Sequence, residues 1–272
     1  MSFYNWIQKK IFNTYEEWYI KSPFYDRNGF HITIIDNSLK AMQRGLIMYT
    51  QISPPHPING CESMKAIVSK DKNLINLYLK INNKKYCIPN ISYEDTHQIM
   101  RTFVQKSILP KDKTYIEIVE EEHNKKMMDS FVALVELLFK DSKLAKSFLN
   151  KINLKNIEDD TEELWFKLYN ELLLKEKVIE LDWKEEKDIF LYSVKELSAG
   201  TNLVIDEQLL DENQNIPIWS GKLNSLWTDY VLAAMELHCD TYVLLLLTKE
   251  DFIKAQELAR TVLQRIAPDE EV

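Results

Sequence analysis

The side chains best suited to nucleophilic or metal chemistry are five histidines and three cysteines. No two histidines have the His-x-x-x-His spacing of a helical zinc site, and no cysteine lies in a Cys-x-x-Cys pair. Only His238-Cys239-Asp240 brings such residues together, and a helix-to-strand turn explains them, since a histidine complements the negative end of a helix dipole. A catalytic cysteine would need a base from elsewhere in the fold. The sequence therefore predicts no catalytic residue and no metal ligand.

Glycine- and serine-based motifs lead to the same expectation. The chain has only 5 glycines, without a Walker A or dinucleotide-binding pattern, and no serine lies in Gly-x-Ser-x-Gly. We therefore expect no nucleotide or other cofactor.

Carboxylates are the most conspicuous charged feature. Residues 1–120 contain 16 basic and 11 acidic side chains, whereas the rest of the chain contains 18 and 31. Adjacent acids on a helix point in different directions and seldom share a proton. A helix N-terminus also favours acids for electrostatic reasons alone, so a solvated face is one interpretation. The other is a surface for a basic partner, centred on the densest group: Glu158, Asp159, Asp160, Glu162 and Glu163.

Tryptophan is the residue most often found at binding hot spots. Trp219 lies between Pro217 and Gly221, which predicts a loop and partial exposure, so we add it to the candidate partner-binding residues. Trp165 and Trp227 lie on apolar stripes and are expected to pack. The lysines of the first half lack the arginines and interleaved aromatics of nucleic-acid readers, which argues against a nucleic-acid partner.

The cellular compartment can be predicted from the apolar stretches of the sequence and from the charged residues that interrupt them. Charges break up the first 20 residues, which is unlike a secretory signal, and no apolar run approaches the roughly 20 residues of a membrane span. Three widely spaced cysteines are typical of reduced thiols. We expect a cytoplasmic protein without a membrane partner.

The first half, residues 1–112, reads as a mildly basic α+β domain. Trp6, Ile7, Ile11, Tyr15 and Trp18 recur at helical spacing and predict a helix over 2–20. Alternation and asparagine turns predict a small antiparallel sheet, and Ser92-x-x-Asp95 predicts a helix start. The predicted strands are 65–69, 74–81 and 85–88.

The second half, residues 113–272, reads as an acidic, helix-rich α+β domain with a few short strands. The boundary is placed at Pro110–Lys113, where the sign of the charge changes. Helices are predicted over 127–139, 144–152, 160–174, 185–197, 223–237 and 249–266, and strands over 115–119, 178–181, 202–205 and 241–247.

Two short motifs of this half resemble an uncharacterised bacterial domain family. One is Val178–Lys184, an apolar strand that ends in Asp-Trp-Lys ahead of a helix, followed by Asp188-Ile189. The other is the closing strand that begins at Asp240-Thr241. The resemblance covers about 127–266 and brings no catalytic residue. Some members of the family are suspected toxin-neutralising immunity proteins, and such a role is the most concrete form that a binding function would take here.

These observations favour a non-enzymatic binding protein whose acidic surface blocks a basic protein partner. The alternative is a hydrolase or transferase whose site is assembled from residues far apart in the sequence.

Limited proteolysis tests the predicted boundary. We expect cleavage near Pro110–Lys113 and a stable fragment that begins around Tyr115, because the segment is polar and carries a proline. The two-domain hypothesis would be wrong if residues 114–272, expressed alone, gave the circular dichroism of an unfolded chain.

Overall fold

A computed structural model describes residues 12–271 of the chain. The chain divides between His123 and Asn124 into two compact units, which are described separately. Within the described residues there are eight α-helices and eleven β-strands.

The first unit is built on an antiparallel sheet of seven strands in the order β2-β1-β3-β4-β5-β6-β7. The strands are β1 (Thr14–Ser22), β2 (Tyr25–His31), β3 (Tyr49–Ser53), β4 (Cys61–Val68), β5 (Leu74–Ile81), β6 (Lys84–Ser92) and β7 (Ile116–Ile118). Helices α1 (Thr33–Gln43) and α2 (Tyr93–Lys106) belong to this unit, and α3 (Glu120–Phe139) begins in it.

Residue alternation explains how the sheet acquires its buried face. Ile75, Leu77 and Leu79 of β5 are fully buried in one core with Met100 and Phe103 of α2. Asn82 and Asn83 both have positive φ, 50° and 62°, as the predicted tight hairpin requires. The Ser92 side chain accepts a hydrogen bond from the backbone amide of Asp95, as expected of the predicted helix cap.

The helix predicted over 2–20 is wrong from Thr14 onward, where the chain forms β1; its earlier part lies outside the described residues. The pairing of β1 with β2 shifts register between Tyr15 and Tyr19. Such an irregularity lets Tyr15 and Trp18, three positions apart, both point into the core, where they are 4% and 6% exposed. The register shift therefore gives this strand a spacing of buried residues that is typical of a helix.

The second unit has a four-stranded antiparallel sheet in the order β11-β9-β10-β8, with helices forming most of the rest. The strands are β8 (Ile179–Asp182), β9 (Tyr230–Met235), β10 (Thr241–Thr248) and β11 (Ile266–Pro268). The helices are α4 (Ser142–Leu149), α5 (Ile157–Leu174), α6 (Lys187–Leu197), α7 (Ile216–Leu226) and α8 (Lys249–Thr261), together with the larger part of α3. The predicted α+β class is confirmed, although the first sheet is larger than expected.

The helix predicted over 223–237 is wrong in its second half. Helix α7 ends at Leu226, and β9 begins at Tyr230 and pairs with both β10 and β11. A short apolar run fits a buried strand as well as a helix, and here the two neighbouring strands decide. β9 is consequently an inner strand of the second sheet, and its last four residues are buried.

The segment around the predicted boundary is divided between loop and sheet. Lys111 and Asp112 are exposed, whereas β7, which begins at Ile116, pairs with Lys85–Cys87 of β6. The predicted division at 112 and 113 stays a prediction.

No helix among residues 12–271 is both long enough and apolar enough to span a bilayer.

The three cysteines differ sharply in exposure, which gives a prediction. Cys61 and Cys87 are buried, and burial raises the pKa of their thiols to about 12 and about 11, whereas Cys239 is exposed. Because the thiolate is the reactive form, Ellman's reagent should titrate one thiol in the native protein and three in urea.

The Cys239→Ser variant is the control, and it should leave no rapidly reacting thiol in the native state. A second fast thiol in the native protein would contradict the burial of Cys61 and Cys87.

Candidate protein-binding surface

The first element of the surface is the start of α5, which carries the acidic group predicted from the sequence. Asp159, Glu162 and Glu163 are exposed, while Glu158 and Asp160 are partly covered. No side chain caps this helix at Asn156, so the acids of the first turn complement the positive end of its dipole.

Buried side chains hold this helix end rigidly. Leu164, Trp165 and Leu168 are at most 3% exposed. The Trp165 indole N–H donates to the backbone carbonyl of Glu236, at 2.9 Å. The acids therefore sit on an anchored platform next to the connection between β9 and β10.

That connection, residues 236–240, is a polar turn. The Glu236 carboxylate accepts hydrogen bonds from the Arg265 guanidinium, at 3.2 Å, and from the backbone amide of His238, at 2.8 Å. His238 has a positive φ of 55°. Burial lowers the pKa of its imidazole, although the Glu236 carboxylate acts in the opposite direction. The expected helix-to-strand turn at His238–Asp240 is wrong, because β9 takes the place of the helix.

On its other side the turn meets the loop between β8 and α6. The backbone amide of Trp183 donates to the carbonyl of Asp240, at 3.3 Å, just beyond the Asp182–Thr241 pair of β8 and β10. Asp182 Oδ1 accepts a hydrogen bond from the amide of Lys184, at 2.9 Å. The turn 236–240 thus touches both the helix with the acidic group and the Asp-Trp-Lys motif. We call these three elements together the acidic surface.

The Asp-Trp-Lys loop opens onto a pocket of about 450 Å³. Trp183 is 51% exposed, and the Lys184 ammonium lies 4.4 Å from the centre of its ring, which shows that the ring face accepts a cation. The Lys187 ammonium donates to the carbonyl of Leu210, at 3.2 Å. The lining residues are Trp183, Lys184, Glu185, Glu186, Lys187, Asp188, Glu212, Gln214, Asn215 and Trp219. With four carboxylates against two ammonium groups, the lining favours a cationic ligand group.

The expected exposure of Trp219 is wrong, since only 1% of it is accessible. Asn215 caps α7 by accepting from the amide of Ile218, so Pro217 lies within the first helical turn rather than in a loop. Trp219 then points inward, where its indole N–H donates to the carbonyl of Asp211, at 2.8 Å, and its ring lies 5.3 Å from that of Phe190. It joins α6 to α7 and builds the pocket wall from inside.

Sequence reasoning missed Trp183 as the exposed tryptophan. The available signal was its position after the last residue of a short strand, between Asp182 and Lys184 and outside any apolar stripe. Charged neighbours on both sides are typical of a loop that faces solvent.

Metal-ligand grouping and the exposed cysteine are two features that bear on chemistry in this region. Within residues 12–271 no group of three or more His, Cys, Asp or Glu side chains could hold a metal ion. The exposed Cys239 places its sulfur 3.1 Å from the Thr241 hydroxyl oxygen. What the arrangement offers is charge, a half-exposed indole and a polar pocket.

Comparison with known families agrees with the resemblance to an uncharacterised domain. The model of a domain of unknown function, DUF6630, matches residues 114–269. The match spans more than half of the chain, which therefore belongs to this family. No curated protein and no solved structure matches the chain.

The different positions of the two pocket tryptophans give a prediction for stability. Trp219→Ala should lower the free energy of unfolding by about 3–5 kcal/mol, because it empties a filled core position. Trp183→Ala should change it by less than about 1 kcal/mol, since half of that side chain is already in water.

Urea unfolding followed by circular dichroism measures both free energies. Equal losses in the two variants would show that the assignment of buried and exposed tryptophan is incorrect.

Proposed function

We propose that this member of the DUF6630 family is a non-enzymatic binding protein that docks a basic protein on the acidic surface. Its most concrete form is a cytoplasmic toxin-neutralising protein, which blocks a cationic cleft of its partner by steric and electrostatic contact. The observation that supports this most directly is the half-exposed Trp183 in a pocket whose lining has four carboxylates and two ammonium groups.

The three elements of the surface supply different parts of a binding energy. An exposed tryptophan beside a pocket provides apolar area with little side-chain entropy to lose, which is typical of hot spots. The carboxylates of α5 act at longer range, where they steer a basic partner and disfavour acidic ones. The turn 236–240 lies between them and is tied to both sides by hydrogen bonds.

Rigidity of the acidic platform also supports the proposal. Trp165 holds the start of α5 against the turn, so the acids there need little ordering when a partner binds. One of them, Glu163, is paired with Lys167 one helical turn later, and such an exposed pair adds little stability by itself.

A triple charge reversal tests the role of the α5 acids. Asp159→Lys, Asp160→Lys and Glu163→Lys together should slow association with the basic partner at least tenfold in low salt, because the reversal removes the attraction that steers encounter. The salt dependence of the association rate should flatten. The partner would be captured from native lysate, and stopped-flow mixing would give the rates.

A matched control exists at the start of α3, where Glu120, Glu121 and Glu122 are exposed acids of a first helical turn. Reversing these three changes the net charge by the same amount and disturbs a helix dipole in the same way. A loss of rate in the α5 triple that exceeds the loss in this control is then an effect of the α5 acids and not of net charge. Identical association kinetics for the α5 triple and the unchanged protein, in low and high salt, would refute the assignment of the α5 acids as the partner site. They would then only stabilise the helix.

A further inference from the structure

Asp269 is a completely buried carboxyl group with incomplete hydrogen bonding. It is 0% exposed, and its Oδ2 accepts a hydrogen bond from the Ser220 hydroxyl of α7. Its Oδ1 is buried and has no hydrogen-bond partner among residues 12–271. An ionised carboxylate in such a position is costly, whereas the neutral acid has no charge to solvate.

Asp269 belongs to a short C-terminal segment that rests on α7. Ile266–Pro268 pairs with β9, and Asp269–Glu271 then forms a single 3-10 turn. The Asn224 amide of α7 donates to the Glu270 carboxylate, at 2.7 Å. The Arg265 guanidinium donates to the carbonyl of Glu271, at 2.6 Å, and also binds Glu236 beside the turn 236–240.

The approach between segment and helix is close at Gly221. A Cβ atom there would lie 3.4 Å from Glu270 Cβ, so the side chains of the segment lie directly against α7. Asp269 is hydrogen-bonded to Ser220, the residue before Gly221, so its carboxyl group is buried at the same contact between segment and helix.

The groups around Asp269 do not neutralise it. Glu270, next to it, further disfavours its ionised form. Burial and, after it, the charge of Asp269 raise the pKa of the Tyr242 phenol of β10, so this phenol is also near. Glu236, the first residue of the turn after β9, is also acidic and is paired with Arg265, the residue before β11. On α7 the neighbours are Ser220, Gly221 and Asn224, none of which titrates, and the Lys222 ammonium is bound to the carbonyl of Leu209.

We propose that Ile266–Glu271 is a proton-linked latch, held against α7 while Asp269 is neutral and loosened when that carboxyl group ionises. The group gains water when the segment lifts, so ionisation favours the open form. This device is independent of the proposed binding function, because it concerns only how the segment is held.

The sign of the pH effect follows from the two forms of the group. Burial is the main cause that raises the pKa of Asp269 to about 7 in the closed form, whereas an aspartate in water titrates near about 3.9. Between these values the closed form holds a proton that the open form has lost. The opening equilibrium constant should therefore grow by up to about tenfold per pH unit as pH rises through this window, and level off above about pH 7.

Hydrogen–deuterium exchange of the full chain measures the latch directly. Protection factors of the C-terminal peptide, corrected for intrinsic exchange, should fall at least tenfold between about pH 5 and about pH 7 and then stay constant. In Asp269→Asn, which keeps the shape of the side chain but cannot ionise, they should not change with pH. Glu257→Gln, which removes an exposed carboxylate of α8 outside the segment, is the matched control, and it should retain the pH dependence.

Ser220→Ala provides a second, independent readout. The Ser220 hydroxyl stabilises the ionised form, so its loss should move the plateau to higher pH. Protection that does not vary with pH in the unchanged protein would overturn the proposal. So would a pH dependence in Asp269→Asn equal to that of the unchanged protein, or a Ser220→Ala profile that does not move.

Discussion

The antiparallel pairing of β9 with β10 is the constraint on which the acidic surface depends. It brings Met235 opposite Val243, so residues 236–240 must turn at the end of these two inner strands. Backbone groups of that turn then receive a tryptophan indole from α5 and a backbone amide from the β8–α6 loop. Three segments far apart in the sequence thereby become one surface.

Trp219 has the corresponding role on the inner side. Its ring packs against Phe190, and its indole hydrogen bond holds the loop before α7, so the first turns of α6 and α7 are kept in place around the pocket. A buried tryptophan with a satisfied N–H is a rigid spacer. The exposed Trp183 can serve as a contact because Trp219 supports the pocket from below.

The carboxyl groups at the surface of this unit and the one in its interior differ in their access to water. The carboxylates of α5 and of the pocket rim are hydrated, and hydrated charges steer partners at little cost to the fold. Asp269 has no such access to water, and its only hydrogen-bond partner among the described residues is a serine hydroxyl. The chemistry of the carboxyl group is the same in both places, so solvent access is the main difference between an exposed, charged carboxylate and a group that favours its neutral form.

Much of this protein could be predicted from local sequence. The alternation in 74–81, the asparagine hairpin and the Ser92 cap each depend on neighbours within a few residues, and each is present in the structure. The acidic start of α5 and its apolar anchor positions were also predictable, because both follow from the helical period.

Only the tertiary structure decided the conformation of segments whose local sequence pattern fits both a helix and a strand, and the burial of individual side chains. Tyr15 and Trp18 fit a helix until a shift in strand register turns both inward, and Tyr230–Met235 becomes a strand because two partner strands flank it. Trp219 is buried although a loop and partial exposure were predicted for it, since burial depends on which helix packs against α7 and not on nearby proline or glycine. The missing partner of Asp269 Oδ1 is equally non-local, because it results from how β11, the 3-10 turn and α7 meet in space.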